Sequence, residues 1–284
     1  MKTPKRLQPL VDDCLIDEVL SQLMSGKEAE VYVVRSGSKI RAAKVYKEAA
    51  KRSFKNAVTY QEGRKVRNSR RARAMEKGSK FGRKQQEDTW QNAEVDALQR
   101  VARAGVRVPE TFGCIEGVLL MELITDEEGN VAPRLDDVSM PAEQALEDHD
   151  VMMQYVARML CAGVIHGDLS EFNVLVDEYG PVVIDMPQAV NAAANNNAES
   201  MLKRDVNNMR AYYGLFAPEL LTTRYADEMW ALYADGALTP ETELTGEFED
   251  PTESADVDGV LNEIMAAMAE EEERLERIRE ADED

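Results

Sequence analysis

The chain has 284 residues, 44% of them hydrophobic, and a formal net charge of −20. That length builds one bilobal unit or two small domains, and no apolar run approaches the roughly 18–20 residues that cross a bilayer, which argues against a membrane protein. The net charge conceals two opposed segments: residues 47–84 hold 14 Lys and Arg against three Glu, and residues 241–284 hold 18 Asp and Glu against three Arg. The basic segment can meet phosphates and the acidic one cannot. The start, Met1 to Leu7, is basic but lacks the apolar core of a signal peptide. Cys14, Cys114 and Cys161 are far apart and form no CxxC pair, so buried thiols in a reducing, cytoplasmic compartment are expected.

Leu10 to Met24 places Val11, Leu15, Val19, Leu20 and Leu23 at helical spacing, so residues 1–24 read as a helical N-terminal extension. Ser25-Gly26-Lys27-Glu28-Ala29-Glu30-Val31-Tyr32 reads as a turn entering a strand. Ser38 to Tyr46 returns as the second arm of a hairpin around Ser36-Gly37. Lys44 lies between Ala43 and Val45 on that arm, either as an inward charge or as a solvated edge residue. Gly26-Lys27 lacks the earlier glycine and the following Ser or Thr of a P-loop, so phosphate contact here would fall to Ser25, Lys27 and backbone amides. Residues 47–86 show no sustained periodicity and predict a flexible insert. It reads as a solvated linker, an RNA contact, or a site of self-phosphorylation at Ser53, Ser69 or Ser79.

Thr89 to Ala104 predicts a helix with Trp90, Ala97, Leu98 and Val101 on one face; Glu94 is the candidate partner of Lys44 and Glu87 the competitor. Thr111–Ile115 and Val118–Leu123 predict a hairpin around Glu116-Gly117. Its end is either a plain core strand or a hinge where backbone groups of Glu122 and Ile124 pair with an adenine edge. Asp126 to Asp137 crosses to the second half, and Pro141 to Ala162 predicts a long helix. Helices are also expected over Ala198–Tyr213 and Ala217–Tyr233. Val257, Val260, Leu261, Ile264, Met265 and Met268 form one amphipathic stripe in the acidic tail.

The chemistry concentrates in His166-Gly167-Asp168-Leu169-Ser170-Glu171-Phe172-Asn173 and in Ile184-Asp185, each beside an apolar strand. Two acids and one amide on adjacent strand ends supply oxygen ligands for a divalent cation and leave one carboxylate as a base, the set that phosphoryl transfer requires. The kinase pattern His-Arg-Asp, four residues, Asn, then Asp-Phe-Gly has the same spacing, with Gly167 here in place of Arg and Asp185-Met186-Pro187 in place of Asp-Phe-Gly. His166 reads as a brace for the loop. With only two histidines and no Cys/His cluster, a histidine-ligated metal is not expected. Ala217-Pro218-Glu219 matches the end of a kinase activation segment but reads as a helix start, because the helix at Ala198 leaves little room for such a segment.

At these residues the chain resembles the RIO family of atypical serine/threonine protein kinases, on the side of its first subfamily and of bacterial type. The matching pieces are Ser25 to Tyr32, Ala43-Lys44-Val45-Tyr46, Thr89-Trp90 with Glu94, Ala132-Pro133-Arg134-Leu135, His166 to Asn173 and Ile184 to Gln188. The resemblance implies an α+β, bilobal protein-kinase-like fold without a long activation segment. That fold divides into a β-rich N-lobe at 25–124 and a helical C-lobe at 125–236; outside the resemblance, 237–284 read as an acidic, partly helical or disordered tail. The resemblance also implies ATP with Mg²⁺ or Mn²⁺, Lys44 on the phosphates, Asp168 as proton acceptor, and Asn173 with Asp185 on the metal. Asp185 has a second expected role as phosphoryl acceptor in an ATPase cycle. Expected partners are a protein substrate or the chain itself, ribosomal RNA through the basic insert, and ribosomal proteins through the acidic tail.

Overall fold

The computed structural model describes residues 1–26, 29–47 and 93–249. Lys27, Glu87, Trp90, all of the predicted insert beyond Lys47 and the stripe from Val257 onward lie outside the described residues.

Five strands build the N-terminal half: β1 (Glu18–Ser25), β2 (Ala29–Ser36), β3 (Lys39–Tyr46), β4 (Thr111–Ile115) and β5 (Val118–Glu122). They form one antiparallel sheet in the order β1-β2-β3-β5-β4. The hairpins fall where the turn residues placed them. Glu116 and Gly117 have φ of 52° and 77°, the paired positive values that a two-residue turn between twisted strands needs.

Side chains alternate across the sheet. Tyr32, Val34, Ala43, Val45, Val118 and Leu120 pack on one face with Leu7, Leu10, Ile16 and Val19. A one-turn helix, α1 (Gln8–Asp12), supplies Leu10 to that cover. The other face carries Lys44, and against it lies α2, helical through 93–103. Residues 18–24 are therefore a strand and not the expected helix. Two register shifts, at Val19/Ser21 and Gln22/Met24, break the alternation that would have marked it.

The C-terminal half is built on α3 (Ala142–Cys161), α4 (Ala198–Tyr213) and α5 (Tyr225–Ala234). Met152, Met153, Leu160, Met209, Tyr213 and Met229 form much of its core. Two small ribbons sit between α3 and α4. β6 (Val164–Ile165) pairs with β9 (Val190–Asn191), and β7 (Val174–Asp177) pairs with β8 (Gly180–Val183). The connections from β6 to β7 and from β8 to β9 carry the two motifs. The chain passes from β9 into α4 with no long segment between them.

Two expectations for the end of this half change. The helix expected over Ala217–Tyr233 is split into a 3-10 turn, Pro218–Thr222, and α5. Tertiary ties hold the break open: Arg210 Nη1 donates to the Thr223 carbonyl (2.8 Å), and the Arg224 N–H donates to the Gly246 carbonyl (2.6 Å). The stretch after 236, expected to open the tail, stays in the same compact unit as far as Gly246. The buried Glu228 carboxylate anchors it by accepting the N–H groups of Thr245 and Gly246 and the Thr245 hydroxyl. Among the described residues no helix is long and apolar enough to cross a membrane.

Gly214 ends α4 where a Cβ would run into the Leu221 side chain and come within 2.8 Å of the Arg210 carbonyl. Gly214→Ala is therefore expected to destabilise the protein by about 1–3 kcal/mol through overpacking, read as a lower urea midpoint. An unchanged midpoint would show that Leu221 yields freely.

Candidate active site

Lys44 sits on the sheet face turned toward the C-terminal half. On that face Val31 and Leu119 lie opposite Lys44, and Val33 and Met121 lie opposite Ala42. A cation in this apolar surround must be paired. It is paired twice: Nζ lies 2.6 Å from Glu94 Oε1 and 2.5 Å from Asp185 Oδ1. Desolvation opposes the charge on Lys44, but Asp185 and Glu94 outweigh it and hold the ammonium above the usual lysine range.

Glu94 shares the inner face of α2 with Ala97, Leu98 and Val101 and is 2% exposed. Its second oxygen accepts the Tyr46 hydroxyl at 2.6 Å. Of the two glutamates considered for Lys44, Glu94 makes the contact. Asp185 follows β8 with a φ of 64°, a region that aspartate enters more readily than most residues. Burial works against its charge, yet the Lys44 ammonium beside it holds its carboxyl below the usual range. Its side chain is 41% exposed, and its other oxygen has no hydrogen-bond partner among the described residues. The Asp185 half of the Lys44 pairing therefore opens to the cleft, and the Glu94 half is sealed.

Asp168 stands on the loop after β6, and the loop is clamped from several sides. His166 Nε2 lies 3.1 Å from the Ile184 carbonyl, and the Asp168 N–H reaches His166 Nδ1 at 3.3 Å. That pattern assigns the neutral ring with its proton on Nε2, and burial lowers the pKa of His166 in the same sense. The ring is a brace, as its sequence context suggested. Gly167, where the kinase pattern has Arg, holds a φ of 82°, which glycine adopts without strain. Asn173 Nδ2 donates to the Asp168 carbonyl at 2.8 Å, which leaves the Asn173 amide oxygen as the atom open to a cation. Gln188 Nε2 lies 3.1 Å from Asp168 Oδ2. Desolvation, ahead of the opposing effect of Arg204, raises the Asp168 carboxyl above its ordinary value, which suits a proton acceptor.

The other expected contacts divide. Ser25 ends β1, and Lys47 reaches back to the Gly26 carbonyl at 2.6 Å. After β5, the Ile124 carbonyl is taken by the Ala132 N–H at 3.0 Å, while the Ile124 N–H has no partner among the described residues. The Glu122 N–H is spent on the Glu110 carbonyl (2.8 Å), and the Glu110 N–H goes to the Glu122 carboxylate and not to its carbonyl. Of the adenine-pairing groups considered, the Glu122 carbonyl and the Ile124 N–H are the two left over.

Several neighbours of the site were not read from the sequence. Asp205 of α4 accepts the Gly167 N–H (2.7 Å) and the Leu169 N–H (3.2 Å), and Asn208 donates to the Leu169 carbonyl (2.9 Å). Arg204 Nη2 donates to the Gly167 carbonyl. Burial pushes the Asp205 carboxyl up to about 7, against the two N–H donors. The available signal was a carboxylate on the helix stripe of Met201, Leu202, Val206 and Met209. Ile124, Ala132 and Val182, with Leu175 against them, form a small apolar cluster beside the stretch that follows β5.

Among the described residues no group of three His, Cys, Asp or Glu could hold a metal by itself. The donors present, the Asn173 amide oxygen and the Asp185 carboxylate, fit Mg²⁺ or Mn²⁺ completed by phosphate oxygens and water.

The RIO domain model matches residues 30–226. The chain belongs to the RIO family of atypical serine/threonine kinases. It is 34% identical over 205 residues to the RIO-type serine/threonine-protein kinase Rio1 of Haloferax volcanii, covering 72% of this chain and 66% of that one. It is 29% identical to the rio1 kinase of Schizosaccharomyces pombe, over 75% of this chain and 41% of that one. The match to Homo sapiens RIO1 is also 29% identical, over 80% of this chain and 38% of that one. This RIO chain thus spans under half the length of those two eukaryotic relatives and about two thirds of the archaeal one.

Because the folded-state value of Asp185 lies below its ordinary 3.8, its stabilising contribution is present above that value and fades as pH falls through the lower one. Asp185→Asn should therefore cost most stability at about pH 7 and visibly less at about pH 3. Urea melts of both proteins at the two pH values check this; an equal gap at both would contradict the ion pair.

Proposed function

We propose that this chain is an ATP-dependent serine/threonine kinase that uses Mg²⁺ or Mn²⁺ and phosphorylates itself or a protein substrate. The observation that carries the reading is the convergence of Lys44, Glu94 and Asp185 beside the Asp168–Asn173 loop. Lys44 grips the phosphates and Glu94 holds Lys44. Asn173 and Asp185 hold the metal, which offsets charge on the transferred group when bound. The adenine lies against the apolar sheet face, with the Glu122 carbonyl and the Ile124 N–H as its polar contacts. Ser25 and Lys27 are the further phosphate contacts of this reading, carried by their place in the sequence.

Asp168 accepts the proton of the acceptor hydroxyl. The serine oxygen bonds to the γ-phosphorus as the bridging P–O bond to the β-phosphate breaks, and ADP leaves. The neutral His166 ring and the clamp from α4 keep the Asp168 backbone in place during this step.

One observation favours a second reading. Asp185 is held ionised by Lys44, yet its second oxygen faces the cleft unpartnered, as a phosphoryl acceptor would. In that case the chain is an ATPase-type assembly factor with an aspartyl-phosphate intermediate; the basic insert supports ribosomal RNA as its partner and the acidic tail supports ribosomal proteins. First-subfamily membership rests on the motif pattern; relatives named Rio1 align over 72–80% of this chain at 29–34% identity, and a relative named Rio2 is 37% identical over 38% of it. The bacterial type rests on the motif pattern alone. A β-rich lobe that takes in β1 and runs to 124, a helical lobe from 125 to 246 and a cytoplasmic location complete the proposal; none of the three cysteines forms a disulfide among the described residues.

Radiolabelled ATP incubated with the purified chain tests both readings. Acid-stable label on serine is expected, and Asp168→Ala should abolish it while ATP still binds. Transfer by Asp168→Ala at the wild-type rate would remove Asp168 from the mechanism. Hydroxylamine-labile label lost in Asp185→Asn would establish the second reading in place of the first.

A further inference from the structure

Resting on that reading and going beyond it, we propose that Tyr46 is a positioning residue of the site, acting on the nucleotide's phosphates through Glu94 and Lys44. Tyr46 closes β3 two residues after Lys44, so both side chains leave the same face of one strand. It is fully buried. Its hydroxyl donates to Glu94 Oε2 at 2.6 Å, while Lys44 donates to Glu94 Oε1 at 2.6 Å. Its ring centroid lies 5.5 Å from Lys44 Nζ, within the range of a cation–π contact.

The geometry explains why a second donor matters. Glutamate has three rotatable bonds, and a single contact at one oxygen leaves the carboxylate free to turn and slide. Two donors on different oxygens define its plane and its depth. Because both donors come from one strand, α2 is docked to β3 at a single carboxylate. Lys44 also depends on this arrangement, because its other partner, Asp185, is the one that opens to the cleft and to the proposed metal. With Asp185 engaged by a metal, Glu94 would be the one carboxylate of the pair left on the ammonium, and Tyr46 keeps Glu94. A tyrosine that merely filled space would need no hydroxyl here, and the hydroxyl faces the one residue that Lys44 needs.

The test compares wild type, Tyr46→Phe, Glu94→Ala and the double variant by ATP kinetics and thermal melting of the full chain. Tyr46→Phe keeps the ring and removes only the hydroxyl. The expected result is a cooperative melt, a KM for ATP raised about 5–20-fold and a kcat lowered less than about threefold. On the Glu94→Ala background the same substitution should add nothing, because a residue acting only through Glu94 is silent once Glu94 is gone. Tyr46→Met, which fills the space without a hydroxyl, serves if Tyr46→Phe is not recovered folded.

An unchanged KM in Tyr46→Phe, or an undiminished effect on the Glu94→Ala background, would overturn the inference and leave the kinase reading standing. A wild type that binds no ATP would overturn the kinase reading and the inference with it.

Discussion

A buried ammonium needs its carboxylates, and the architecture around the cleft follows from satisfying Lys44. Leaving such a charge unpaired costs several kcal/mol, and the approach of β3, α2 and the turn after β8 offsets that cost. The two pairings are unequal. The Glu94 carboxylate is sealed between helix and sheet, where an ion pair is screened little. The Asp185 carboxylate is partly open to water, so its attraction is discounted by solvent. That asymmetry suits a kinase: the inner contact fixes the lysine, and the outer contact can be exchanged for ligand.

The lower half of the site is held by different physics. The Asp168 loop has no regular structure before the 3-10 turn Glu171–Asn173, and its backbone groups must find partners elsewhere. Asp205 and Asn208 provide them from α4, Arg204 adds a further contact, and His166 ties the loop to the Ile184 carbonyl on the other side. The loop is thus rigid because a helix beneath it carries polar residues on its inner face. A glycine stands where the kinase pattern has arginine, and a cation nevertheless approaches the loop, from Arg204. The charge is supplied by a different element.

What the sequence disclosed, and what it hid, follow from whether a signal was local. The β2-β3 and β4-β5 hairpins were legible because period-two alternation met turn residues at Ser36-Gly37 and Glu116-Gly117. The bounds of α4 were legible because its apolar stripe is unbroken. The kinase-like pattern from His166 to Asp185 was visible because its spacing is short. β1 was misread because its bulges space the apolar residues as a helix would. The break before α5 and the run to Gly246 were missed because each is set by contacts distant in the chain, through Arg210 and Glu228. The hold of Asp205 on the Asp168 loop and the contact of Tyr46 with Glu94 were missed for the same reason: each residue looks like an ordinary member of its element until its partner is seen.

The most direct test of the account is a crystal structure with Mg²⁺ and a non-hydrolysable ATP analogue. The account predicts phosphate oxygens within hydrogen-bonding distance of Lys44 Nζ, with Lys44 still on Glu94, and the metal on the Asn173 amide oxygen and the Asp185 carboxylate. A triphosphate bound with Lys44 turned away from it, or a metal held by neither Asn173 nor Asp185, would contradict it.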